Sequence, residues 1–201
     1  MPTAAAPATI GRPRSPEADE AIRAATLELL ATEGYAGLTM SGVAATAGVS
    51  TATLYRRWRS KVELVVGVLQ AKSEERPVPD TGTLDGDCRA ILHNIVDAVR
   101  ATHAASGAIM AALVGELGRN RELARAYRTS LVAPRRVAMA DMLDRAAARG
   151  ELQAGLDYDL VSDLLAGGIY SRLLVSGQPV THKVADQLAD LVVRAISKDV
   201  K

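Results

Sequence analysis

Phenylalanine is absent from this 201-residue chain, tryptophan occurs once, and aromatics make up 3% of it. A core here must be built from aliphatic side chains and methionine, and an enclosed cavity would be mainly aliphatic too. The single cysteine, Cys88, excludes an intramolecular disulfide and fits a reducing compartment. It falls in an apolar stripe and reads as a small core residue rather than a redox sensor. Histidine occurs three times, and His93 and His103 lack the spacing of a helical metal pair. His93 and Asp97 could share a ligand, but solvated or core-edge positions are the plainer reading. There is no His/Cys cluster, no glycine-rich phosphate loop and no recognisable Ser/His/Asp constellation. The expectation is a protein that is not an enzyme and needs no cofactor or metal.

No apolar run approaches the ~18 residues of a membrane helix. The opening MPTAAAPAT lacks the basic segment and apolar run of a secretory signal. A soluble, cytoplasmic protein with no membrane partner is expected. The formal net charge is only +1, so global charge gives no argument for nucleic acid and only local clustering can supply one.

Such a cluster is present. Residues 39–61 read TMSGVAATAGVSTATLYRRWRSK. Thr39 can cap a helix from Met40 to about Ala47, Gly48 ends it, and Ser50 can cap another from Thr51 to about Arg57. Arg56, Arg57, Arg59 and Lys61 follow with no acid among them. Two short helices joined by a tight turn can present the second to the DNA major groove, while the basic residues meet phosphates. Ser60 to Glu63 then matches the S-x-x-E capping box and opens a fourth helix, with Val62, Val65, Val66 and Leu69 on one stripe.

Upstream, residues 1–14 form an Ala/Pro/Thr-rich arm, expected to be disordered when free. Ser15-Pro16 reads as the start of the first helix, whose buried face carries Ile22, Ala25, Leu29 and Leu30, with Gly34 as its stop. Downstream, residues 74–87 are polar, carry Pro77, Pro79, Gly82 and Gly86, and read as a connector. The rest is helical throughout. Cys88, Ile91, Leu92, Ile95 and Val99 form one apolar face; Ile109, Met110, Leu113, Val114 and Leu117 form another. A long helix spans about 121–148, kinked or interrupted at Pro134 and ended by Gly150. Two more span about 157–175 and 181–197. The fold class is all-α: a three-helix DNA-binding head with a helix-turn-helix, joined by a fourth helix to a helical ligand-binding and dimerisation body. The division is arm 1–14, head 15–61 and body 62–201.

Residues 23–69 resemble the tetracycline-repressor (TetR) family of bacterial transcription regulators. The resemblance rests on EGYAGLTM, then VAATAGVSTATLYRRW, then SKVELV, with Tyr35, Val43 to Ser50, Tyr55, Trp58 and Lys61 at the family's spacings. Arg59 departs from it, standing where relatives often carry proline. The body resembles the family only in architecture and in the RGEL segment at Arg149 to Leu152. The resemblance implies a homodimeric repressor that leaves a palindromic double-stranded operator when an unknown, mainly apolar small molecule binds. An activator or ligand-independent regulator of the same fold is the alternative, and a helical small-molecule enzyme or sequestration protein is a remoter one.

Expected DNA contacts follow. Thr51, Ala52 and Thr53, behind the cap Ser50, lie at the helix end that approaches base edges. The resemblance turns Tyr55 toward the duplex. Arg56 and Arg57 are candidates for phosphate or guanine, although adjacent residues on a helix cannot share one direction. Lys61, with free N–H groups at its helix start, could grip a phosphate, and Thr39 could act likewise while capping. Arg12 and Arg14, separated by Pro13, either enter a narrow minor groove or form an ordinary basic tail. Leu54 and Trp58 read as head core. Met110, Leu113, Tyr127, Met139, Met142 and Tyr170 are candidate ligand-lining residues, although residues of this kind are more often plain core, and Glu116 or Arg172 could orient a polar end. The resemblance makes the last two helices a dimer face, with Leu165, Gly168, Ile169, Leu188, Leu191 and Val192. Gly167-Gly168 in mid-helix fits a close approach there, or equally a close packing within one subunit.

Overall fold

The computed structural model describes residues 16–101 and 105–198. The arm, Arg12, Arg14, Ser15 and His103 lie outside that range. The described chain is helical, and its lone β feature is a single bridge between Leu152 and Ser197. Helix α1 spans Pro16–Thr32; a single turn, α2, spans Gly34–Gly37; α3 is Met40–Thr46, α4 Thr51–Tyr55 and α5 Lys61–Glu74. The body follows as α6 Leu84–Ala101, α7 Ala105–Leu117, α8 Arg121–Tyr127, α9 Ala133–Ala148, α10 Tyr158–Ser171 and α11 His182–Ile196. Among the described residues no helix is long and apolar enough to cross a membrane.

Side-chain caps set most helix starts. Thr39, Ser50, Ser60, Asn120 and Thr181 each accept a hydrogen bond from the backbone N–H three residues on, and Asp157 accepts from Asp159 and Leu160. Glu63 completes the Ser60 box one residue further back than usual, accepting from the Arg59 N–H at 2.7 Å. Two stops are Schellman motifs. At Gly48 (φ 65°), the Val49 N–H donates to the Ala44 carbonyl and the Gly48 N–H to that of Ala45; Gly150 (φ 77°) closes α9 in the same way.

Pro134 interrupts the long helix by forcing a π-helical turn over Arg128–Val132, where Ala133 N–H reaches the Arg128 carbonyl. Proline lacks the donor and crowds the carbonyl four residues back, so the ladder widens just ahead of it. A second π-helical turn, Arg172–Ser176, extends α10 and ends at Gly177 (φ 62°).

Several sequence expectations need correction. Helix α5 is not a one-stripe helix: Leu64 and Val68 are buried along with Val62, Val65 and Val66. It runs through the middle of a core shared by head and body, which also includes Ile109, Leu113 and Leu123. The packing therefore does not divide at residue 61. The connector is shorter than 74–87, because Leu84 already begins α6. Asp87 lies fully buried in that helix, accepting from the Thr81 N–H (2.6 Å) and hydroxyl (2.8 Å) and folding the linker back onto the helix start. Val114, read as part of the α7 apolar face, is exposed.

A second core joins α6, α9, α10 and α11 through Leu92, Met142, Leu143, Leu165, Ile169 and Ala189, all fully buried. Above it α6 and α11 are cross-clasped. His93 Nε2 lies 2.8 Å from Asp186 Oδ1, His182 Nε2 lies 2.8 Å from Asp97 Oδ1, and the imidazole centroids are 4.7 Å apart. Each histidine thus takes a carboxylate from the opposite helix. Among the described residues there is no cluster of three or more metal-ligating side chains.

Leu64→Ala should cost about 2–5 kcal/mol, the range for emptying a fully buried leucine site, read as a lower urea midpoint at unchanged slope. The clasp has a pH signature. Its hydrogen bond from His93, aided by the nearby Arg89, holds the Asp186 carboxyl below the usual carboxylate range. Its stabilisation is therefore present above that range and lost as pH falls through the depressed value. Asp186→Asn should lower the urea midpoint at pH 7, and the gap from wild type should close toward pH 3.

Candidate nucleic-acid interface and effector cavity

Helices α3 and α4 form the helix-turn-helix around the Gly48 turn. Leu54 anchors α4 by full burial among Val43, Ala44 and α5 side chains. Trp58 packs on the same core, over Gly67, where an added Cβ would stand 3.1 Å from the indole nitrogen. With its apolar side thus pinned, α4 turns Thr51, Ala52, Tyr55 and Arg56 outward. Tyr55 is 52% exposed. Thr39 and Ser50 are exposed as well as capping.

Thr53 is less free than its neighbours. Its hydroxyl lies 2.9 Å from that of Ser50 and accepts from Arg56 at 3.3 Å. Two of the basic candidates are turned inward. Arg57 Nε pairs with Asp19 Oδ1 at 2.9 Å, and both side chains are largely covered, so it ties the end of α4 to α1. Lys61 Nζ donates to the Tyr35 carbonyl at 2.8 Å and sits 4.4 Å from the Tyr35 ring centroid. Its ammonium closes the carbonyl end of α2 and gains a cation–π contact. Arg56 and Arg59 of the basic cluster remain as exposed cations beside Tyr55.

The body holds a cavity of about 430 Å³, within the range of small-molecule sites. Met110, Leu113, Tyr127, Met139 and Tyr170 lie on its wall. Met142 does not: it is fully buried in the α6/α9/α10/α11 core, to which the cavity residue Met139, one turn earlier on the same face of α9, also belongs. Glu116 and Arg172 are also absent from the wall; Arg172 instead donates to the Pro179 carbonyl. The polar wall groups are others: Lys72 and Ser73 of α5, Arg76 just beyond its end, Asn94 of α6, Arg135 and Arg136 of α9, and Ser162 and Asp163 of α10. Sequence gave little signal for these, since a basic residue on an amphipathic helix normally points to water. Burial raises the phenol pKa values of Tyr127 and Tyr170, so both stay neutral O–H donors near pH 7.

One wall of the cavity is also a support of the head. Ile109 and Leu113 of α7 line it and belong to the head's core; Leu27 of α1 reaches it directly. Gly34, at the turn between α1 and α2, faces Ala112 on α7 at 3.8 Å from its ideal Cβ position.

The expected dimer residues divide. Leu165 and Ile169 are fully buried and Val192 nearly so, all within this chain's own core. Gly168 explains the close approach of α10 and α11: an added Cβ would stand 2.7 Å from Leu188 Cδ2 of the same chain. These residues are engaged inside one protomer, because each helix must first bury one stripe on its own body. The outward stripe carries Leu160, Leu164 and Gly167 on α10 and Leu191 on α11; Leu191 is 65% exposed.

Two family models match. That for "Bacterial regulatory proteins, tetR family" covers residues 22–68, and that for "Tetracyclin repressor-like, C-terminal domain" covers residues 78–192. The chain is 32% identical over 186 residues to the HTH-type transcriptional regulator YdeS of Bacillus subtilis, covering 92% of this chain and 91% of that one. It is 31% identical over 172 residues to the DNA-binding transcriptional repressor TetR of Mycobacteroides abscessus, covering 85% and 88%. The crystal structure of the TetR family transcription regulator SCO0332 is 34% identical, with a TM-score of 0.69, covering 89% of this chain and 97% of that one.

Lys61→Ala and Arg57→Ala should each cost about 1–3 kcal/mol, the range for a charge-assisted hydrogen bond, reduced by whatever solvent reaches them. Thermal midpoints should fall by a few degrees. Tyr55→Ala, at a residue more than half exposed and with no buried ion pair or hydrogen bond to lose, should lower the midpoint less than either. Equal melting of all three would contradict the inward assignment of Lys61 and Arg57.

Proposed function

The chain belongs to the TetR family of bacterial regulatory proteins and is a DNA-binding transcriptional regulator; from that premise we propose that it is a cytoplasmic homodimeric repressor, released from a roughly palindromic operator by a small, mainly apolar ligand. It has no enzymatic role in this reading. Thr51, Ala52 and Tyr55 face the bases, while Arg56, Arg59, Thr39 and Ser50 meet the backbone. The arm's Arg12 and Arg14 add a minor-groove contact.

The observation that carries ligand release is the double use of α7. Its Ile109 and Leu113 wall the cavity and support α1 and α2. A ligand that needs more room than the empty cavity offers must displace that wall, and the head moves with it. In a dimer, head displacement changes the spacing of the two α4 helices, which must match successive major grooves about 34–36 Å apart. Ligand and operator then disfavour each other by the same factor. Repression rather than activation is favoured by the naming of the Mycobacteroides relative as a repressor.

The second copy is proposed to dock on the outward stripe of Leu160, Leu164 and Leu191. Gly167, with open space where a Cβ would stand, allows close approach there. Gly168 does its work inside the subunit.

Operator sequences can be selected from random duplexes with the purified protein and then used in gel shifts. Tyr55→Ala should weaken binding at least about tenfold, one base or backbone contact's worth, and leave the dimer intact by sedimentation. The double variant Leu164→Glu, Leu191→Glu should sediment as a monomer and lose operator affinity. Wild-type affinity for Tyr55→Ala would remove α4 as the reading element; a dimeric double variant would remove the proposed face.

A further inference from the structure

The cavity wall carries more positive charge than the chain itself neutralises. Four cations line it, Lys72, Arg76, Arg135 and Arg136, against one acid, Asp163. Arg136 is already saturated by Asp159 at 2.5 Å and Asp163 at 2.8 Å. Lys72 pairs with Glu75 at 3.1 Å. Arg135 differs. Its Nη1 donates to the Ser73 hydroxyl at 3.2 Å and the Arg76 carbonyl at 3.3 Å, both neutral, and among the described residues no carboxylate pairs with it. Those two bonds fix the guanidinium between α5 and α9 and leave its remaining N–H groups unused by them. Around it the wall is aliphatic, from Leu69, Ile95, Leu131 and Met139, with the neutral phenols of Tyr127 and Tyr170 facing the same space. A half-buried cation without a counter-charge is costly unless something supplies one.

We propose that the effector is an amphipathic anion, an aliphatic body with one carboxylate at its end, and that Arg135 receives the carboxylate while Ile95, Leu131 and Met139 receive the body. This rests on the reading of the cavity as the effector site and sharpens "mainly apolar" to a chemical class. The planar guanidinium fork matches a carboxylate, and the phenol O–H groups of Tyr127 and Tyr170 are positioned as further donors. Burial keeps those phenols protonated, which donation requires. A neutral ligand of the same length would leave the guanidinium uncompensated.

Calorimetric titration of the full-length protein with decanoate and with 1-decanol separates the terms. Wild type should bind decanoate at least about tenfold more tightly, the worth of one charge-assisted hydrogen bond. Arg135→Gln should abolish that preference and leave decanol affinity within about twofold, and Arg135→Lys should restore part of it. Circular dichroism checks that each variant is folded, and Arg135→Lys carries the test if Arg135→Gln is not. Equal or reversed affinities in wild type, no decanoate binding, or a preference that survives Arg135→Gln would each overturn the proposal. Operator release is measured separately by gel shift with decanoate added. Arg135-dependent binding without release would leave the anion site standing and defeat the release reading; release without Arg135 dependence would do the reverse.

Discussion

A helix of five residues cannot hold its own shape in water, since isolated helices below ~12–15 residues are marginal even with favourable sequences. Helix α4 is that short, and everything else in the head serves to hold it. Ser50 fixes its start, Leu54 sinks its inner face, and the Arg57–Asp19 pair and Trp58 fix its end against α1 and α5. Lys61 then locks the entry of α5 onto the carbonyls of α2. Of the basic residues between Gly48 and Val62, two are spent on this bracing. The electrostatic surface offered outward is accordingly smaller than the sequence count implies, and Tyr55 and the α4 N-terminus carry more of the proposed recognition.

Because α1 and α2 rest on α7, and α5 on α8 and the π-helical turn after it, the head has no independent floor. Ile109 and Leu113 are simultaneously head core and cavity wall, so the two sites share side chains rather than communicate through a long relay. Close-packed cores respond to a displaced wall by shifting whole helices instead of deforming smoothly. That is the physical basis for the proposed coupling of a volume of about 430 Å³ to the orientation of a short helix.

Legibility from sequence followed the range of the interaction. Caps and stops depend on residues three to five apart, and Thr39, Gly48, Ser50, Ser60 and Gly150 fell where the pattern put them. Leu54 and Trp58 as head core were equally readable, because an i, i+4 apolar pair on a short helix has one face to go to. The inward partners of Arg57 and Lys61, Asp19 and the Tyr35 carbonyl, lie 38 and 26 residues away, and a cation's local pattern does not say which partner it finds. Met142 failed for a related reason: periodicity marks a residue as inward without saying whether the inside is solid or hollow. Arg135 left no trace at all, since its placement depends on α5 and α9 crossing.

The dimer stripe shows the same limit in a form that can be argued further. Helices α10 and α11 are apolar over a wide arc, and a wide arc on a helix with two neighbours must be shared between them. Gly168 is pressed against Leu188 of its own chain, whereas Gly167, one residue and about 100° away, meets open space. A glycine in mid-helix costs about 1 kcal/mol relative to alanine. At 168 the close packing of α11 offsets that cost. At 167 nothing within the protomer does, and Leu160, Leu164 and Leu191 leave apolar surface exposed beside it. The uncompensated glycine and the uncovered leucines thus call for the same remedy, a second helical surface approaching α10 closely, which the twofold partner of the proposed dimer would supply.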